Sequence, residues 1–115
     1  MMMRLSTLTL AAAFGIAMGM AGQTAHAACF ESGVGCTSTH AIPKGVLSTL
    51  SCAALWTVRN SIYHERGYCF RTERAQESFS NEGCYVTDAN ALRFNSYERT
   101  NVSRIVSVEK AKGCR

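Results

Sequence analysis

The sequence has little of what most motif-borne chemistry requires. It holds one proline, Pro43, and one tryptophan, Trp56, and none of its six cysteines stands in a CxxC or CxxH spacing. A zinc site needs such close ligand pairs, so no metal is expected. There is no Gly-x-Ser-x-Gly elbow, no glycine loop able to cradle a phosphate and no His-Glu-x-x-His helix. Hydrolase, nucleotide and metalloprotease chemistry of the motif-defined kinds is therefore disfavoured, and no cofactor is expected. Internal repeats and low-complexity tracts are absent too. The long uncharged apolar run is confined to one place, Leu5 to Gly22.

That run decides the expected compartment. Arg4 gives a short positive start, and Ala25-His26-Ala27 fits the small-x-small rule for cleavage. Residues 1–27 read as a secretory signal peptide, with a mature chain from Ala28 in the periplasm or outside the cell. A retained membrane helix is the lesser option, since no basic stop-transfer cluster follows. No stable membrane insertion is expected after cleavage. A lipid-attached Cys29 is disfavoured by His26, which stands where a lipoprotein signal carries an aliphatic residue. Of 12 basic and 8 acidic residues, cleavage removes only Arg4, which leaves a net charge of about +3. The excess is mild and scattered along the chain. It suits an anionic envelope or cell-wall surface and falls short of the basic stripe of a nucleic-acid binder.

Residues 28–115 suffice for one small domain with a thin core, and such domains often need covalent help. All six cysteines follow the cleavage site, which in an exported chain reads as three disulfides. Several pairings are open. The one adopted joins Cys29 to Cys36 around a short glycine-containing loop, and Cys69 to Cys84 around the second helical segment. It also ties Cys52, at the start of the first helix, to Cys114 at the C-terminal end.

The periodic segments predict a mainly α domain of about three helices, 51–66, 73–79 and 96–112. In the first, Cys52, Leu55, Trp56, Arg59, Ile62, Tyr63 and Arg66 recur at helical spacing. Ser51 is its cap, with Ser48 as the competitor, and Gly67 suits the left-handed stop. Thr72 caps the second. Asn81-Glu82-Gly83 is a turn, Cys84 to Val86 a short extended piece, and Thr87 to Leu92 a loop. The third has Asn95 and Glu98 as a capping box and Gly113 as its stop, with Val102, Ile105, Val106 and Val108 on its apolar side. Residues 28–49 read as an irregular, disulfide-tied lead-in in which His40 and Lys44 are solvated. Arg59 interrupts an apolar stripe. Either it snorkels to water or it is partly buried and needs a carboxylate, for which Glu98 and Glu109 both lie on the flank of the third helix.

His64 and Glu65 are helix neighbours about 100° apart, so they are expected on the solvated back rather than at one substrate. Six paired cysteines leave no thiol nucleophile. Asn101-Val102-Ser103 is a formal glycosylation sequon inside a helix. The large aromatics serve first as core, Trp56 and Tyr63 above all. Tyr68 and Tyr85, near turns, are the candidates for exposure, and with Arg71 and Arg74 they form the candidate ligand-binding face.

From Leu50 to Cys114 the chain resembles the YARHG domain, a small bacterial extracellular module. The resemblance rests on Leu50-Ser51, Leu55-Trp56, Arg59-Asn60, Ile62-Tyr63, Gly67-Tyr68 and Phe70. Phe79, Tyr85, Asn95, Tyr97-Glu98, Asn101, Ile105 and Glu109 follow in the expected order. The family's Tyr-Ala-Arg-His-Gly motif corresponds to Tyr63-His64-Glu65-Arg66-Gly67, where the ends fit and the middle three differ. The resemblance implies a compact helical exported domain over 50–115, with no established activity, and it implies Glu98 as the partner of Arg59. The expectation is an exported, non-catalytic cell-envelope module that binds peptidoglycan or another envelope component. A small secreted inhibitor or effector that binds a partner protein is the alternative, and convergent carboxylates in a cleft would instead favour a hydrolase.

Overall fold

The computed structural model describes residues 29–30 and 34–115, so the expected signal peptide, 1–27, lies outside the described residues. A two-stranded antiparallel hairpin, β1 (Cys29–Phe30) and β2 (Gly35–Cys36), leads into four helices. These are α1 (Lys44–Ser48), α2 (Cys52–Glu65), α3 (Glu73–Ser78) and α4 (Ser96–Lys112), with a 3-10 turn at Ala89–Ala91 inside the expected loop.

Local chemistry sets the helix ends. The Ser51 hydroxyl accepts the Ala54 amide at 3.1 Å, so Ser51 rather than Ser48 caps α2. At the far end Gly67 turns left-handed, φ +81°. Its amide donates to the His64 carbonyl at 3.0 Å and that of Tyr68 to the Tyr63 carbonyl at 3.2 Å, which closes the helix as a Schellman motif. In α4 the Asn95–Glu98 capping box is complete, and Gly113 at φ +70° lets the Cys114 amide reach the Glu109 carbonyl at 2.9 Å.

The long helices α2 and α4 lie antiparallel. Cys52–Cys114 joins one end, Arg59–Glu109 the middle and Arg66–Glu98 the other end. Between them and α1 sits an aliphatic core of Leu47, Leu55, Val58, Ile62, Ile105 and Val108, closed on the hairpin side by Val34 and Ile42. The other two disulfides are Cys29–Cys36 and Cys69–Cys84, so the three expected pairs are the three present, and among the described residues no cysteine is free.

The lead-in is not irregular, contrary to expectation. It forms the hairpin and α1, and Ile42 and Leu47 are fully buried. A helix of five residues shows too few turns for a period to be read, and α1 is held by packing on α4. His40 and Lys44 are exposed, and the Lys44 ammonium donates to the Ser107 hydroxyl at 3.2 Å.

Asn101 fixes the lead-in onto α4. Its side chain is wholly buried; Oδ1 accepts from the Ile42 amide at 2.8 Å, and Nδ2 donates to the carbonyls of Thr37 (2.8 Å) and His40 (2.7 Å). The sequon asparagine is thus inaccessible in the fold. Asn101→Ala strands one buried donor and two acceptors, and is expected to lower the unfolding free energy by about 2–3 kcal/mol in urea denaturation. A loss under about 0.5 kcal/mol would mean that segment 37–42 is held by apolar packing alone.

Candidate functional site

The exit of α2 is bound to the segment before the 3-10 turn. Tyr68 and Val86 form an isolated parallel bridge. The amides of Tyr85 (2.9 Å) and Val86 (3.0 Å) donate to the Gly67 carbonyl, and the Cys69 amide donates to the Val86 carbonyl at 2.8 Å. Cys69–Cys84 staples the same two strands of chain. The ring of Tyr85 lies over Gly67, where a Cβ would overlap it, so this position requires glycine for its positive φ and for the close approach of the ring.

Tyr85 is 76 % exposed although its backbone is pinned on both sides. Two open clefts flank it. One, of about 240 Å³, is walled by His64, Glu65, Tyr68, Ser80, Glu82 and Tyr85, with Gly67, Gly83 and Cys84 along its floor. The other, of about 260 Å³, is bordered by Arg66, Val86, Ala91 and Arg93 on the opposite side of the same tyrosine.

The structure therefore brings Tyr68 and Tyr85 together. Tyr68 is half-buried, edge-on to both Tyr63 and Phe70. Arg71 and Arg74 do not border either cleft. Arg71 donates to the Thr87 carbonyl at 3.0 Å, and Arg74 lies over the Trp56 ring at 4.0 Å. Trp56 and Tyr63, expected in the core, sit half-buried at its rim, among rings that run through Phe79, Phe70 and Phe94. His64 and Glu65, expected on the solvated back, share one cleft. They occupy the last turn of α2, where the cleft wraps around the helix end and admits neighbours that a helix side would separate. The His64 ring packs against Phe79, and Nε2 lies 3.2 Å from the Ser80 carbonyl, which holds the imidazole as a wall. The pinned Cys69–Cys84 pair was the signal that could have placed Tyr85 over Gly67. Glu82 and Arg93 had no such signal.

The ion pairs differ from the expected one. Arg59 meets Glu109, not Glu98, with Nε to Oε1 at 2.7 Å and Nη2 to Oε2 at 3.2 Å. Burial opposes the Arg59 charge, but the hydrogen bond and the charge of Glu109 outweigh it and raise the guanidinium pKa above its ordinary value. Glu98, with its side chain 2 % exposed, accepts from Arg66, whose Nε lies 3.0 and 2.9 Å from its two oxygens. That hydrogen bond, against the opposing effect of burial, raises Arg66 as well. The fourth residue of the Tyr63–Gly67 stretch thus ties α2 to the capping box of α4. Among the described residues no three His, Cys, Asp or Glu side chains converge as metal ligands.

These features define a small, mainly helical, disulfide-stapled module with an exposed aromatic ridge. The chain matches the YARHG domain family over residues 33–110 and belongs to it. The family is extracellular or periplasmic and of unclear function, and the disulfides fit an exported protein. The match begins well before Leu50 and takes in most of the lead-in, in keeping with the packing of Ile42 and Leu47 into the core. Among the described residues no helix is long and apolar enough to cross a membrane. No curated protein and no solved structure matches the chain.

Proposed function

We propose that this protein is a non-catalytic module of the cell envelope, exported by residues 1–27, that binds peptidoglycan through Tyr85 and the two clefts beside it. The observation that carries the reading is Tyr85 itself: a large ring kept in water on a backbone held by hydrogen bonds and a neighbouring disulfide. An exposed aromatic on an ordered backbone is a stacking platform for a sugar ring at reduced entropic cost, because its backbone is already held. The clefts supply the polar part. Glu65 and Glu82 lie on one side and Arg93 on the other, suited to the amines and carboxylates of the peptide stems that accompany the sugar chain.

Co-sedimentation of the oxidised, exported protein with purified peptidoglycan, at low and at moderate salt, tests this. Binding is expected to survive the added salt, since stacking is not screened as surface charge is. Tyr85→Ala is expected to weaken it by about tenfold or more, the loss of an aromatic anchor that ligand binding would cover. Binding that vanishes with salt, or that ignores Tyr85→Ala, contradicts the reading.

A further inference from the structure

Basic residues that are scattered in sequence are gathered in space on the outer side of α4 and α1. The exposed residues of α4 include Arg99, Ser103, Ser107 and Lys110, at steps of three and four, and Lys44 of α1 reaches across to Ser107. From Arg99 to Lys110 this row runs about 16 Å along the helix. Arg104 borders it on the α1 side, donating to the Ile42 carbonyl (2.9 Å), whereas Lys112, about 200° around the helix from Lys110, donates to the Ser48 carbonyl (3.1 Å) at the end of α1. Arg99 donates to the Phe94 carbonyl at 2.7 Å. Each of these hydrogen bonds goes to a neutral oxygen and so brings no counter-charge.

The carboxylates of α4 are turned away from that face. Glu109 is committed to Arg59 of α2 and Glu98 to Arg66 just past its end, on the flank of α4 that faces α2. The other described acids, Glu65, Glu73, Glu77, Glu82 and Asp88, belong to the end of α2, to α3 and to the loops after it. Both clefts lie at the Tyr85 end as well. The row is therefore a strip of several charges free of acids among the described residues, and neither cleft lies on it. Such a strip meets a plane of anions.

We infer that the α1–α4 face, through Lys44, Arg99 and Lys110 with Arg104 beside them, docks the protein on the phosphate headgroups of an anionic phospholipid surface. The contact is peripheral and carried by charge, since the row itself is made of Arg, Lys and Ser side chains. It lies on a different face from Tyr85, so failure of one reading leaves the other standing.

The test is sedimentation of the oxidised, exported protein with phosphatidylcholine vesicles, with and without phosphatidylglycerol. Binding is expected only with phosphatidylglycerol and should fall steeply with salt. Each charge removed from the row should cost about fivefold in apparent affinity, so Lys44→Gln with Lys110→Gln should cost roughly 25-fold. Arg71→Gln with Arg74→Gln lowers the net charge equally but lies off the row, and should cost less than about threefold, with circular dichroism checking that both variants fold. Equal losses in the two variants would reduce the effect to net charge and overturn the assignment. So would equal binding to both vesicle types, or capture by soluble polyphosphate of a protein that ignores vesicles.

Discussion

Replacing Cys52 and Cys114 together by serine is expected to lower the unfolding free energy by about 4 kcal/mol, the largest loss among the three disulfides. The bridge closes a sequence separation of 62 residues, against 15 for Cys69–Cys84 and 7 for Cys29–Cys36. In the chain-entropy picture the longer loop removes more freedom from the unfolded chain, so the other two should give about 3 and about 2 kcal/mol. Cys52–Cys114 also sets the register of α2 against α4, and with it the ion pairs further along. A domain of this size holds about 5–15 kcal/mol in all, so the double-serine variant should be the one nearest to unfolding at physiological temperature. Urea denaturation of the three variants checks the order. Equal losses, or a larger loss for Cys29–Cys36, would mean that strain or residual structure outweighs loop length here.

Arg66→Ala is expected to cost about 3–5 kcal/mol, because it leaves a carboxylate almost without water and without its counter-charge. Glu98 would keep only its capping bond from the Asn95 amide, at 2.9 Å. The Arg66 side chain is 37 % exposed, so water can enter where it stood, which places the expected loss at the lower end of that range. Arg66→Met combined with Glu98→Gln should recover a large part of the loss, since no unpaired charge then remains. The guanidinium pKa is raised in the fold, so its contribution is complete below the ordinary arginine value and fades only as pH rises above it. Arginine titration therefore leaves the pair intact throughout the neutral range. The double variant settles the cause: a loss as large as that of Arg66→Ala would point to packing of the arginine stem rather than to the stranded charge.

The two long helices were legible because caps and period agree. Ser51 and Gly67 bracket α2, Asn95, Glu98 and Gly113 bracket α4, and each helix is long enough for its apolar face to recur. α1 and the hairpin were not legible, because five residues and two pairs of residues carry no period, and their order comes from Asn101 and the core beneath them. The partner of Arg59 shows a subtler limit. Both Glu98 and Glu109 lie on the α2-facing flank of α4, so periodicity does not separate them, and the family resemblance favoured the wrong one. The disulfide reading already held the answer. Measured from the Cys52–Cys114 bridge, Arg59 is about 10 Å along α2, Glu109 about 8 Å along α4 and Glu98 about 24 Å, so an antiparallel pair brings Arg59 to Glu109.

The candidate site was legible only in part. Tyr85 stood out as an aromatic beside a turn, and Gly67 as a helix stop, but nothing local says that one lies on the other. That juxtaposition is made by Cys69–Cys84 and the Tyr68–Val86 bridge. Arg71 and Arg74 were drawn in by sequence proximity to Tyr68, yet the turn of α3 carries Arg74 to Trp56 and leaves Arg71 on the Thr87 carbonyl. The charges of α4 were read along the chain as scattered because linear order hides a helical row that α1 completes from more than fifty residues away.

The measurement that bears most directly on the central claim is an amide chemical-shift titration of the labelled, oxidised protein with a soluble disaccharide-peptide fragment of peptidoglycan. Shifts are expected first at Gly67, Tyr68, Cys84 and Tyr85, the residues that share the ridge and the cleft walled by His64 and Glu82. Arg71, Arg74 and the outer face of α4 should be quiet. No shifts at saturating fragment, or shifts that gather on α4 and spare Tyr85, would contradict the account.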